Sequence, residues 1–273
     1  MTAARKNITR RNFLRKTAIL SAGAFWGTDV LLRTAARALP CPDGNLSGRT
    51  PAGLPRIAII IDDLGYSVSR VQPFLELGVP LTFSILPRLR YSCCLAEMIQ
   101  AQGHEILLHQ PMEPQNSHIN PGPGALYLTQ KNREIARIIE ENVTSFPFAV
   151  GVNNHMGSLF TESRQKVSES LSVFKEKNFF FIDSVTSCHS IAFTTARKLR
   201  METAFRNVFI DNQHDRDAVW GQLVRLKKHA LRYGRAIGIG HPRPATVLAL
   251  GDFLDDPDTA RFSITYASEL VHA

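Results

Sequence analysis

From residue 56 onward, short and nearly all-apolar runs alternate with amphipathic stretches, and no other feature constrains the fold as strongly. The apolar runs fall at 56–61, 81–86, 105–109, 148–152, 179–182, 207–210 and 236–239, with a last short one at 262–265. Helical spacing occupies 68–77, 92–102, 129–145, 161–178, 193–199, 215–233 and 246–255. Within 129–145, for example, Ile135, Ile138, Ile139 and Val143 share one helical face. Strands without a polar face belong to parallel sheets covered by helices on both sides. The pattern therefore predicts an α/β fold, a distorted (β/α) barrel of about seven strands. In such barrels the chemistry gathers at the C-terminal ends of the strands. That rule singles out Asp62 and Asp63, Pro87, His109, Asn153 to His155, Asp183, Asp211 and His241.

The N-terminal 38 residues stand apart. Thr9-Arg10-Arg11-Asn12-Phe13-Leu14-Arg15-Lys16 is a twin-arginine pattern, followed by a weakly apolar stretch and the A-x-A signal Ala36-Arg37-Ala38. Residues 1–38 are thus expected to be a Tat-type signal peptide, 39–55 a linker or tail, and 56–273 a single catalytic domain. The apolar stretch is too short for a spanning helix, so no stable membrane span is expected after cleavage. The signal segment holds eight of the 32 Lys and Arg but one of the 24 acids, leaving 24 basic against 23 acidic residues. The basic pI therefore belongs to export, and a nucleic-acid partner loses its support. An extracytoplasmic, periplasmic location follows as the expectation. The four cysteines, Cys41, Cys93, Cys94 and Cys188, match no zinc-ribbon spacing.

The strand-end residues have complementary chemistry. Close carboxylates such as Asp62 and Asp63 repel each other, and a bound dication relieves that repulsion. Alternation along a strand would point them in different directions, one towards a cation and the other towards a water. His109 and His155 are suitable transition-metal ligands. Glu113, four residues after His109, can be a ligand, a partner to an imidazole, or solvated. His241, in Gly238-Ile239-Gly240-His241-Pro242, reads either as a general acid or as a core histidine. Asp183 can orient His241, bind substrate, or cap a helix; Asp211 has the same options with less support. His104 sits at the far end of its strand and reads as structural. Serine-nucleophile, P-loop and dinucleotide signatures do not appear.

Five motifs carry a family resemblance. Ile61-Asp62-Asp63-Leu64-Gly65-Tyr66 is similar to the Asp-Asp-Gly motif of NodB-like polysaccharide deacetylases, with Leu64 inserted before the glycine. Gly103-His104-Glu105-Ile106, with His109 beyond it, resembles their second motif. His109 to Pro114 and Asn153 to Ser158 reproduce the H-x-P-M-E-P and N-N-H-M-G-S patterns of the divergent polysaccharide deacetylase branch, and Ala236 to Pro242 resembles its late G-H-P motif. The resemblance implies a divalent metal, zinc, held by Asp63, His109 and a further histidine, with Asp62 as base and His241 as acid. Ordinary members carry their third ligand four residues after the first. Glu113 stands there in this chain, and His155 is the implied substitute. The function implied is an exported metal-dependent hydrolase that removes acyl groups, N-acetyl above all, from a polysaccharide or envelope glycan. It would act on C–N amide bonds other than peptide bonds. The alternative is a non-catalytic or weakly catalytic carbohydrate-binding or envelope-assembly protein that keeps the metal site.

Overall fold

The nine strands of the computed structural model, which describes residues 53–273, are β1 (Arg56–Leu64), β2 (Thr82–Ile85), β3 (Glu105–Met112), β4 (Gly151–Met156), β5 (Phe180–Asp183), β6 (Thr203–Phe205), β7 (Val208–Phe209), β8 (Arg235–Gly240) and β9 (Ser263–Thr265). Seven α-helices accompany them: α1 (Gln72–Leu75), α2 (Ser92–Ala101), α3 (Asn132–Thr144), α4 (Arg164–Glu176), α5 (Ala192–Lys198), α6 (Arg216–Tyr233) and α7 (Pro244–Asp255). The strands form one sheet in the order β6-β5-β4-β3-β2-β1-β8-β7, with β9 beside the first half of β1, and every pairing is parallel. The outermost strands, β6 and β7, are separated in the chain by Arg206 and Asn207 alone. Phe205 and Val208 can therefore lie at most about 11 Å apart. The sheet must curl until its edges nearly meet, which makes the distorted barrel. Asn207 bridges the seam: its N–H donates to the Ile237 carbonyl (2.9 Å) and its Oδ1 accepts from the Ile237 N–H (2.7 Å).

Strand periodicity sorts the apolar residues into two layers. Ile57, Ile59, Ile61, Phe83, Leu108 and Phe181 pack outward in the large cluster shared with the helices. Ala58, Ile60, Leu107, Ile182, Ile237 and Ile239 fill a smaller interior cluster. A 3₁₀ turn, Ala267–Leu270, plugs the interior at the strand N-terminal end, where the Ala267 N–H donates to Thr82 Oγ1 (3.0 Å). The opposite end is left to polar side chains. The interior is tight at Gly151, because a Cβ there would sit 2.7 Å from three atoms of the Phe180 ring. Gly151→Ala should therefore destabilise the fold by about 1–3 kcal/mol through overpacking. The check is a lower urea midpoint at unchanged slope.

Several elements differ from the sequence expectation. The helix expected at 68–77 shrinks to the single turn α1, which begins beside Pro73. The stretch at 161–178 divides into a 3₁₀ turn (Phe160–Glu162) and α4, with the Ser163 side chain accepting from Lys166 N–H between them. β6 has three residues, too few for periodicity to reveal, and brings the main path of the sheet to eight strands. β3 and β4 extend to Met112 and Met156, so both motif segments lie largely inside strands. His104 is structural, accepting from Leu81 N–H and meeting the Phe83 ring edge-on. The expected signal segment and most of the linker lie outside the described residues.

Candidate metal centre

β1 ends in a bulge. Ile61 pairs with Phe83 and Leu64 with Ile85, so Asp62 and Asp63 together face the single residue Ser84. Asp63 adopts φ 61°, a left-handed conformation that aspartate tolerates better than most residues. The extra residue breaks the in–out alternation. The expected divergence of the two carboxylates is therefore corrected: both face the mouth of the barrel.

β3 and β4 run in register, with His109 opposite Asn153 and Pro111 opposite His155. Periodicity then turns His109, Asn153 and His155 inward and Gln110 and Asn154 outward. The outward pair pins loops. Gln110 Nε2 donates to the Gly124 carbonyl, and Asn154 Oδ1 accepts from Ser184 N–H (2.8 Å). The inward set builds the site. Asp63 Oδ1 lies 2.8 Å from His155 Nδ1 and 3.1 Å from His109 Nε2, and the two ring nitrogens are 3.2 Å apart. These three atoms can hold one metal ion. Tetrahedral ligands at about 2.0–2.2 Å from an ion lie roughly 3.3–3.6 Å from one another, so the triangle fits after a shift of a few tenths of an ångström. Two ring nitrogens facing each other across one carboxylate oxygen are also a poor hydrogen-bond set and a good ligand set.

Asn153, fully buried, organises the neighbours. Its Nδ2 donates to Asp62 Oδ1 (2.9 Å), which fixes the amide orientation. Its Oδ1 then accepts from Ser84 Oγ and from His109 Nδ1 (2.7 Å). An amide oxygen only accepts, so Nδ1 carries the proton and Nε2 keeps its lone pair for a metal. Asp62 Oδ2 lies 3.7 Å from His109 Nε2 and accepts no hydrogen bond among the described residues. Burial pushes the Asp62 carboxyl up, against the pull of His109 and His241. Burial would raise Asp63 as well, but the His155 and His109 imidazoles outweigh it and hold that carboxyl well below its ordinary value.

His241 follows β8 and closes the site from the other side. Its Nε2 lies 3.5 Å from Asp63 Oδ2, and its Nδ1 is 2.8 Å from Asp211 Oδ1. Asp211 Oδ2 accepts from the His241 N–H and from Thr246 Oγ1, both at 2.7 Å. Burial opposes the charged imidazole, yet the Asp211 hydrogen bond and the Asp63 and Asp62 carboxylates push His241 up to about 9. Phe209 lies against its ring, with centroids 5.4 Å apart.

Two expected roles are corrected. Asp183 does not orient His241. Phe180 and Ile182 occupy the inward face of β5, so the next residue, Asp183, points out to α5. There it accepts from Val185 N–H (2.8 Å), Ser190 Oγ (2.8 Å) and Phe193 N–H (3.1 Å), which is the helix-capping option. Asp211 does the orienting instead. Glu113 is outside the ligand triangle. Its Oε2 accepts from Leu128 N–H (2.7 Å) and its backbone pairs with Leu126, so it secures the loop after β3. Asn153 and Ser84 had no role assigned from sequence. Their signal was positional, since each shares strand parity with a site residue or faces one across a ladder.

Comparison with known proteins agrees with this fold. The divergent polysaccharide deacetylase family matches residues 59–271. The uncharacterized protein YibQ of Escherichia coli (strain K12) is 33% identical over 198 residues, covering 71% of this chain and 61% of that protein. The chain thus spans under two thirds of that relative's length. The uncharacterized protein ATU2773 from Agrobacterium tumefaciens C58 superposes with a TM-score of 0.76 at 22% identity, over 82% of this chain and 92% of its own. A CE4 family pseudoenzyme from Bacillus anthracis shares the fold at a TM-score of 0.51 and 16% identity, over 82% of this chain and 66% of its own. The chain belongs to the divergent polysaccharide deacetylase family.

Proposed function

We propose that this protein is an exported, metal-dependent hydrolase that removes N-acetyl groups from amino sugars of an envelope glycan. The supporting observation is the placement of a hydrogen-bond-free carboxylate oxygen, Asp62 Oδ2, and an aspartate-held imidazole, His241, on either side of one three-ligand triangle. Two imidazoles and a carboxylate suit zinc, which Asp63 Oδ1, His109 Nε2 and His155 Nδ1 would hold. Such an ion supplies polarisation of the amide carbonyl and acidification of water. Asp62 takes the proton of the attacking water. Its buried setting raises its proton affinity, and Asn153 keeps one oxygen occupied so that Oδ2 does the work. As the C–N bond breaks, the departing amine needs a proton, and His241 Nε2 delivers it. Asp211 fixes the tautomer and direction of that ring. The test is release of acetate from N-acetylglucosamine oligomers by the metal-loaded protein, with loss on chelation and recovery on adding zinc.

A second reading keeps the metal and drops catalysis: a glycan-binding or envelope-assembly protein. It draws on the pseudoenzyme that shares the fold and on Glu113, which stands where ordinary members have a ligand. Intact metal and glycan binding without acetate release from any acetylated oligomer would select it.

Periplasmic localisation is part of the proposal. It rests on Arg10 and Arg11 before Asn12-Phe13-Leu14. Among the described residues no helix is long and apolar enough to cross a membrane. Changing Arg10→Lys together with Arg11→Lys should trap the precursor in the cytoplasm, read by fractionation. Exported double variant with its N-terminus still at Met1 would refute a cleaved Tat signal.

A further inference from the structure

The barrel seam leaves a second cavity, far from the metal triangle. β7 pairs with β8 only at Gly238 and Ile239, so the first half of β8 has no strand partner on that side. Residues 270–272 fill part of the gap, with His272 bridging Thr203 as an antiparallel pair. A cavity of about 200 Å³ remains between β6, β8, α5 and α6. Arg235 and Ile237 both line it, so about 13–20 Å of β8 separates this cavity from His241.

Its lining is two-natured. Phe193, Phe205, Ile237 and Leu270 supply apolar walls, while Arg197, Arg235, His229 and His272 supply cationic or titratable groups. The Arg197 guanidinium is already engaged, with Nη1 donating to the His272 and Ala273 carbonyls. The Arg235 guanidinium has no hydrogen-bond or carboxylate partner among the described residues. Burial, then Arg56 and Arg197, pull its pKa down, as expected for a cation crowded by cations. His272 Nε2 is shut off from water and has no hydrogen-bond partner among the described residues. Burial and then Arg235, Arg56 and Arg197 lower the His272 pKa as well, with Glu202 acting against them. A half-buried guanidinium among other guanidinium groups is costly unless an anion joins it.

We propose that this seam cavity binds an anionic amphiphile, a carboxylate or phosphate on a short hydrocarbon body, with the anion on Arg235 and the hydrocarbon against Phe205, Ile237 and Leu270. The cavity is smaller than the roughly 300–1,000 Å³ of drug-sized sites, which suits a body of about six to eight carbons. The chemistry is shared by a free fatty acid and by the end of a membrane lipid.

Calorimetric titration of the full chain with octanoate, octyl phosphate, octanol and inorganic phosphate tests the proposal. Octanoate and octyl phosphate should bind and raise the Tm, with octanol and inorganic phosphate each weaker by about tenfold or more. Arg235→Gln should weaken octanoate by about tenfold or more, and His155→Ala, which disturbs only the metal site, should leave it unchanged. Co-sedimentation with phosphatidylglycerol vesicles that Arg235→Gln abolishes would identify membrane lipid as the source; octanoate binding without co-sedimentation would identify a free acid. Octanol binding as tightly as octanoate, or wild-type octanoate affinity in Arg235→Gln, would overturn the proposal. The octanol comparison needs only wild-type protein, so it decides the matter even if the variant fails to fold.

Discussion

Asp62→Asn should lower kcat for acetate release by about 10²–10⁴ while leaving bound metal nearly unchanged. The amide is close in shape to the carboxylate, and its oxygen can still accept from Asn153 Nδ2, so the scaffold around His109 survives. What disappears is the proton acceptor at Oδ2, which accepts no hydrogen bond among the described residues. Because Asp62 is outside the ligand triangle, its loss should act on rate and not on metal content. Steady-state kinetics beside metal analysis of the same preparation checks both halves. Unchanged kcat in a metal-replete variant would remove Asp62 from the mechanism.

His241→Ala should produce a loss of the same order, about 10²–10⁴ in kcat, again with metal retained. Asp211→Asn is the sharper companion. Asp211 accepts from the His241 ring and backbone and from Thr246, so it sets both the tautomer and the aim of the imidazole. The asparagine variant should lose much of the same rate although His241 is still present. A substrate with a good leaving group needs little help from an acid, so it should narrow the gap between both variants and wild type. Equal losses on good and poor leaving groups would mean that His241 supports structure and does not donate the proton.

The legibility of the site followed strand geometry. Apolar runs announced the strands, and the rule that barrel chemistry sits at strand C-terminal ends gathered Asp62, Asp63, His109, His155 and His241 before any coordinates. Three features were not legible. The bulge that brings Asp62 and Asp63 to one side depends on a left-handed Asp63, and an Asp-Asp pair does not announce that conformation. The choice of Asp211 over Asp183 depends on which face of β5 is inward and on how β7 lies beside β8, a contact across 30 positions of chain. With Phe180 and Ile182 known to point inward, Asp183 had to point out. The role of Asn153 depends on the β3–β4 register, which sets it directly opposite His109. Glu113 shows the converse. Its place four residues after His109 left a ligand role open, but β3 continues to Met112 and the loop beyond uses Glu113 to hold Leu128.

The third ligand decides the chemistry of the centre, and metal content measures its identity directly. Protein purified without added metal should carry about one equivalent of zinc in the wild type and in Glu113→Ala, and His155→Ala should lose most of it. Stoichiometric zinc in His155→Ala, together with its loss from folded Glu113→Ala, would contradict the triangle of Asp63, His109 and His155.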